Sequence, residues 1–175
     1  MSKPRKLLYD LEAPYTQSLT RLIETQSKAT LANWALDYAE RHYLPIYAAH
    51  FPLDSRPQAA LDAARDWLAG RVKLPAAKSL ILAAHATARE AEAIPPAQAA
   101  ARAIAQAAST IHTATHALGL AYYGAAALAY EIYGTQADPS LYEQVSAEEC
   151  ARLEAALRVV AIPDEPNPAR INWRC

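Results

Sequence analysis

The sequence predicts an all-α protein, a compact multi-helix bundle with a central alanine-rich helical hairpin. Three observations predict it. The run from Ala97 to Tyr133 contains no proline and is dominated by alanine, the strongest helix former and the smallest side chain that still excludes water. Glycine is confined to Gly70, Gly119, Gly124 and Gly134, while prolines cluster where helices would begin or end. No segment sustains the period-two alternation, rich in β-branched residues, that marks a half-buried strand.

The elements follow in order. Thr30 is placed to cap a helix through Trp34, Leu36, Tyr38 and His42, and Pro45 either kinks that helix or ends it before a short continuation to Phe51. Asp54 or Ser55 then caps a second helix with Pro57 in its first turn; Leu61, Ala64, Trp67 and Leu68 share one face, and Gly70 closes it. Pro75 opens a third helix through Leu80, Ile81, Ala84, His85 and Ala88, which Pro95 and Pro96 stop.

A straight helix over the whole run from Ala97 to Tyr133 would reach about 55 Å, longer than the roughly 40 Å width of a compact domain of this size, so a break is expected near Gly119 to Gly124. The third helix and the first half of this run form the hairpin, turning at Ile94 to Ala97, which brings His85 and Arg89 toward Arg102 and Gln106. Ser146 and Glu149 have capping-box spacing for a last helix lined by Leu153, Ala156, Leu157 and Val160 and ended by Pro163. The whole of 1–175 reads as a single helical domain, with 1–29 an N-terminal extension and 163–175 an irregular, poorly packed tail.

Seventeen Lys and Arg against 18 Asp and Glu leave a net charge of −1, so no excess charge draws the chain to nucleic acid or to an anionic membrane. Only Cys150 and Cys175 are present, too few for the disulfide framework of a secreted scaffold, and the expected compartment is the reducing cytoplasm. Met1 to Lys6 is basic, but Leu7 to Leu11 is interrupted by Asp10 and too short for a signal-peptide core. Arg102, Gln106, His112, His116 and Glu131 interrupt the alanine-rich run and argue against a membrane span.

His112 and His116 stand at i and i+4, a spacing that points two imidazoles the same way on a continuous helix and offers two ligands to zinc or a similar divalent ion. Two ligands do not complete a site. His85 is the candidate third and Glu90 or Glu92 a fourth; hydrogen-bonded architectural histidines are the competing reading. The glutamate that a metalloprotease helix carries after its first histidine is missing from His-Thr-Ala-Thr-His.

Arg56, Arg65, Arg89 and Arg102 lie beside alanine-rich faces where a guanidinium can grip a carboxylate or phosphate, or else form local pairs such as Arg65 with Asp62 or Asp66 and Arg89 with Glu92. Ten tyrosines, with Tyr38, Tyr43, Tyr47, Tyr122, Tyr123, Tyr130 and Tyr133 at helical spacing, fit either a binding surface or a core that alanine alone cannot fill. Cys150 has no histidine near it in sequence, and neither a phosphate loop nor a nucleophile elbow is present.

Several blocks together resemble a known family. They are Trp34 to Arg41, Asp54 to Ala60 leading into Ala64 to Gly70, Ala83 to Ala91, and Ala99 to Ile104 continuing through Ile111 to Gly119. The span from Trp34 to Ala129 is similar to small bacterial helical proteins of the Imm-5-like immunity type, with Pro45 departing from the intact first helix expected there. The resemblance implies a cytoplasmic antitoxin that binds and neutralises a cognate polymorphic toxin without catalysis and without a cofactor. On that reading Arg65, Trp67, His85, Arg89, Arg102, His112, His116 and Tyr123 are the candidate binding residues. The alternative from another class is a metal- or small-anion-binding helical protein, conceivably a metal-dependent enzyme, centred on His85, His112 and His116. Either is compatible with a homodimer through the tyrosine-rich stretch from Gly119 to Gly134.

Overall fold

Alanine at eight of the fifteen positions of one helix decides the architecture. The computed structural model describes residues 8 and 10–173, so Met1 to Leu7 and Cys175 lie outside the described residues. Eight helices are present among them: α1 (Pro14–Glu24), α2 (Lys28–His42), α3 (Leu44–His50), α4 (Arg56–Leu68), α5 (Leu74–Glu90), α6 (Pro95–Ser109), α7 (His116–Tyr133) and α8 (Pro139–Val160). No strand occurs among the described residues. The protein is all-α, as the sequence predicts.

Helix α6 is the axle. A helix on the edge of a bundle buries one stripe, whereas α6 buries residues on every face: Ala97, Ala99, Ala100, Ala101, Ala103, Ile104, Ala105, Ala107 and Ala108. Their methyl groups hold the helix radius down, so α2, α3, α4, α5 and α7 all pack directly against it. Large side chains from the surrounding elements fill what alanine leaves, including the fully buried Leu31, Leu36, Tyr43, Leu61 and Leu120. Helix α8 closes one side against α7 and α2, and α1 lies on α8.

Several boundaries differ from those the sequence suggests. Ser27, not Thr30, caps α2, its Oγ accepting from the Thr30 amide at 3.2 Å. Pro45 ends that helix rather than kinking it, since it sits in the first turn of α3. Ser55 is the N-cap residue of α4 but makes no side-chain cap bond; Asp54, one residue earlier, accepts from the Arg56 amide at 3.0 Å, and Gly70 follows the helix at φ 71°. Pro95 and Pro96 start α6 instead of stopping α5, which ends at Glu90, and the connection is a turn over 91–94.

The long run breaks at 110–115, not near Gly119 to Gly124. There the Thr110 hydroxyl donates to the Gln106 carbonyl at 3.1 Å, the acceptor that its own amide also uses, and the His112 and Thr113 amides both turn back to the Ser109 carbonyl. Both glycines remain inside α7, where they serve close approach. A Cβ on Gly124 would overlap the Tyr43 hydroxyl, and one on Gly119 would stand 2.5 Å from the Gln106 carboxamide oxygen.

The capping box is likewise overturned. Asp138 caps α8, accepting from the Ser140 amide at 2.8 Å; Ser146 lies two turns inside, its hydroxyl donating to the Tyr142 carbonyl. Glu149 is buried and accepts hydrogen bonds from Tyr43 at 2.6 Å and Tyr38 at 3.0 Å, while Arg152 pairs with its other oxygen at 2.8 Å. One carboxylate thus ties α8 to α2 and to the α2–α3 corner. The segment 1–29 contributes α1, which buries Leu19 and Ile23. The tail is irregular but pinned: the Ile162 and Ala169 amides donate to Gln26, and Trp173 Nε1 donates to Glu24.

Candidate functional site

The break at 110–115 turns the histidine pattern into a different object. His112 stands in the α6–α7 turn and His116 is the first residue of α7, so the two are not successive rungs of one helix, although their ring centroids are only 5.5 Å apart. His85 joins them from α5. Together with Lys78, Ile81, Leu82 and Ser109 they line a pocket of about 330 Å³ open to solvent. The structure therefore brings His85, His112 and His116 to one place.

Each imidazole is pushed toward its neutral form. Burial is the main cause for all three; the Arg89 charge adds to it at His85, and Lys78 and Lys28 add to it at His112. His116 is depressed furthest, to about 4, by burial and by the two neighbouring histidines. Its Nδ1 lies 2.5 Å from the Gln106 carboxamide oxygen, which can only accept, so the proton sits on Nδ1 and the lone pair on Nε2. The missing side chain of Gly119 makes room for that carboxamide. His112 has its Nδ1 buried with no hydrogen-bond partner among the described residues, leaving Nε2 as the nitrogen that can meet a ligand.

Converging imidazoles suggest a metal, but the arrangement does not supply one with a ligand set. Among the described residues no group of three or more His, Cys, Asp or Glu side chains is placed to hold an ion. Glu90, a candidate fourth ligand, is engaged by Arg56 at 2.6 Å. None of the residues lining the pocket is acidic.

The remaining candidates scatter. Arg102 lies over the Tyr123 ring at 5.8 Å, on the same α6–α7 seam as Gln106 and Gly119. Arg89 turns back to the His85 carbonyl at 3.4 Å rather than across to α6. Arg65 is far from free: it binds Glu40 at 2.7 Å and Asp37 at 3.0 Å and so locks α4 to α2, with Asp62 a looser partner at 3.8 Å, while Asp66 pairs with Arg71 instead. Trp67 packs against the core. Tyr38, Tyr43, Tyr47, Tyr122 and Tyr130 are buried, which is the core-filling reading of the tyrosines.

Lys78, Ser109 and Gln106 were not legible as site residues one by one. Lys78, Leu82, His85 and Arg89 do form a single i, i+4, i+7, i+11 stripe along α5, and that spacing was the available signal.

The fold and this pocket define an all-helical protein built on an alanine-sheathed axle, with a histidine- and lysine-lined recess where α5 meets the α6–α7 turn. A family model described as Imm-5 like putative immunity protein matches residues 21–156, more than half of the chain, and the chain belongs to that family. Neither the curated proteins nor the solved structures compared with it contain a match. No helix among the described residues is long and apolar enough to cross a membrane.

Proposed function

We propose that this chain is a cytoplasmic immunity protein that binds a cognate bacterial toxin and blocks it by occlusion, without catalysis and without a cofactor. The observation that carries the reading is the family match over residues 21–156. The α5 face fits the task. Leu82 is 66% exposed there in the lining of the histidine pocket, an apolar and polar mixture typical of a recognition surface. His85, Arg89, His112 and His116 form the proposed contact face, with Arg102 and Tyr123 on the adjoining seam. Arg65, paired with Glu40 and Asp37 of α2, and Trp67, packed against the core, serve the bundle's own packing.

The test is protection. Cells lacking the gene are mixed with toxin-producing siblings, and the toxin encoded beside it is co-purified with the tagged protein. Loss of protection on deletion together with a stoichiometric complex is the expected outcome. Equal survival with and without the gene overturns the reading.

A further inference from the structure

The charges around the histidine pocket have one sign. Lys78 lines it, Lys28 and Lys78 are the lysines whose fields reach His112, and Arg89 is the charge that acts on His85. Yet the chain as a whole carries a net charge of −1. A local cationic recess on a near-neutral protein concentrates anions of matching shape.

The lining divides into two parts. Ile81 and Leu82 offer aliphatic surface, with Leu82 largely exposed at the rim, and Lys78, His112 and His85 offer nitrogen groups. A ligand that fills both is an anion on a short aliphatic stem. The lining contains no arginine, whose planar fork is the preferred partner of phosphate, and a lysine ammonium serves a carboxylate as a point charge. His112 is held with one ring nitrogen buried, so a single Nε2 is left to meet the occupant. His116, fixed by Gln106 in the recess of Gly119, completes the lining.

We infer that this pocket receives an aspartate or glutamate side chain of the toxin, its carboxylate against Lys78 and His112 and its methylene stem against Ile81 and Leu82. This rests on the immunity reading for the identity of the occupant, but the pocket's preference for carboxylate is measurable without the toxin. It assigns α5 and the α6–α7 turn as the anchoring surface and Lys78 as its charge.

The probe is N-acetyl-glutamate amide, titrated into the intact protein while the ring signals of the five histidines are followed by NMR. The matching glutamine amide and inorganic phosphate are the comparison arms. Expected is a saturable shift of the His85 and His112 signals with a midpoint on the order of 10 mM, as befits one side chain severed from its interface. Lys78→Gln, at an exposed position, is expected to weaken it at least about fivefold, and His112→Asn to weaken it independently. No saturable shift, an equal response to the glutamine amide, or tighter binding of phosphate overturns the inference. Those results would leave sibling protection untouched, whereas failed protection alongside carboxylate binding would remove the toxin and keep the pocket.

Discussion

Removing one hydroxyl tests how the buried carboxylate holds the bundle together. Tyr43 is fully buried, and its hydroxyl donates to Glu149 at 2.6 Å, the shorter of the two phenol bonds to the same oxygen. Burial, and after it the Glu149 charge, raises the Tyr43 phenol far above its ordinary range, so it donates at every accessible pH. Tyr43→Phe keeps the ring and deletes only that donor. Hydrogen bonds to charged groups contribute about 1.5–3 kcal/mol, and Tyr38 and Arg152 stay in place, so a loss of about 2 kcal/mol is expected. In a chain of this length that corresponds to a fall in Tm of roughly 4–8 °C. Urea unfolding at pH 7, followed by far-UV circular dichroism, should show a lower midpoint with an unchanged slope. Tyr38→Phe should interact with it non-additively, because both hydroxyls serve Glu149 Oε1. A Tyr43→Phe midpoint within about 0.5 kcal/mol of the parent would show that Glu149 is not the tie described above.

Gly124→Ala should destabilise by about 2 kcal/mol despite alanine's better helix propensity, because the new methyl overlaps the Tyr43 hydroxyl; the same urea titration reads it. His116 makes stability pH-dependent. Burial pushes its imidazole down from 6.5 to about 4 in the folded protein, so nothing is lost above pH 6.5, stability falls as the pH drops from 6.5 toward 4, and the loss stays below about 3.4 kcal/mol because the ring is partly exposed and screened by solvent. His116→Leu should flatten that limb of the urea midpoint against pH, to which His85 and His112 also contribute in the same direction. Arg65→Gln should cost about 1 kcal/mol at low salt and clearly less in 1 M NaCl, since its partners Glu40 and Asp37 are solvent-accessible; equal losses at both ionic strengths would refute the ion-pair account.

The helical content was legible because alanine, proline and glycine act locally, through propensity, a fixed φ and an αL turn. Gly70 and Pro57 stand where the sequence placed them for that reason. What was misread depended on partners distant in the chain. Glu149 has capping-box spacing after Ser146, but its carboxylate is claimed by tyrosines more than 100 residues away. Gly119 and Gly124 look like helix breakers in sequence, and only the neighbouring Gln106 and Tyr43 show that they are recesses instead. The meeting of His85 with His112 and His116 was raised by the spacing of the hairpin, yet His112 is seated by a turn in which its amide bonds the Ser109 carbonyl, and the cationic lining came from Lys78 on α5.

The sheathing of α6 by methyl groups limits how this molecule can change. An added carbon at Ala100 or Ala103 has no solvent to move into, and its displacement reaches several neighbours at once, whereas exchanges at Leu82, Lys78 or Arg89 disturb nothing beneath them. Mutational drift is thus channelled outward. The rind is free to be rewritten while the pith stays fixed.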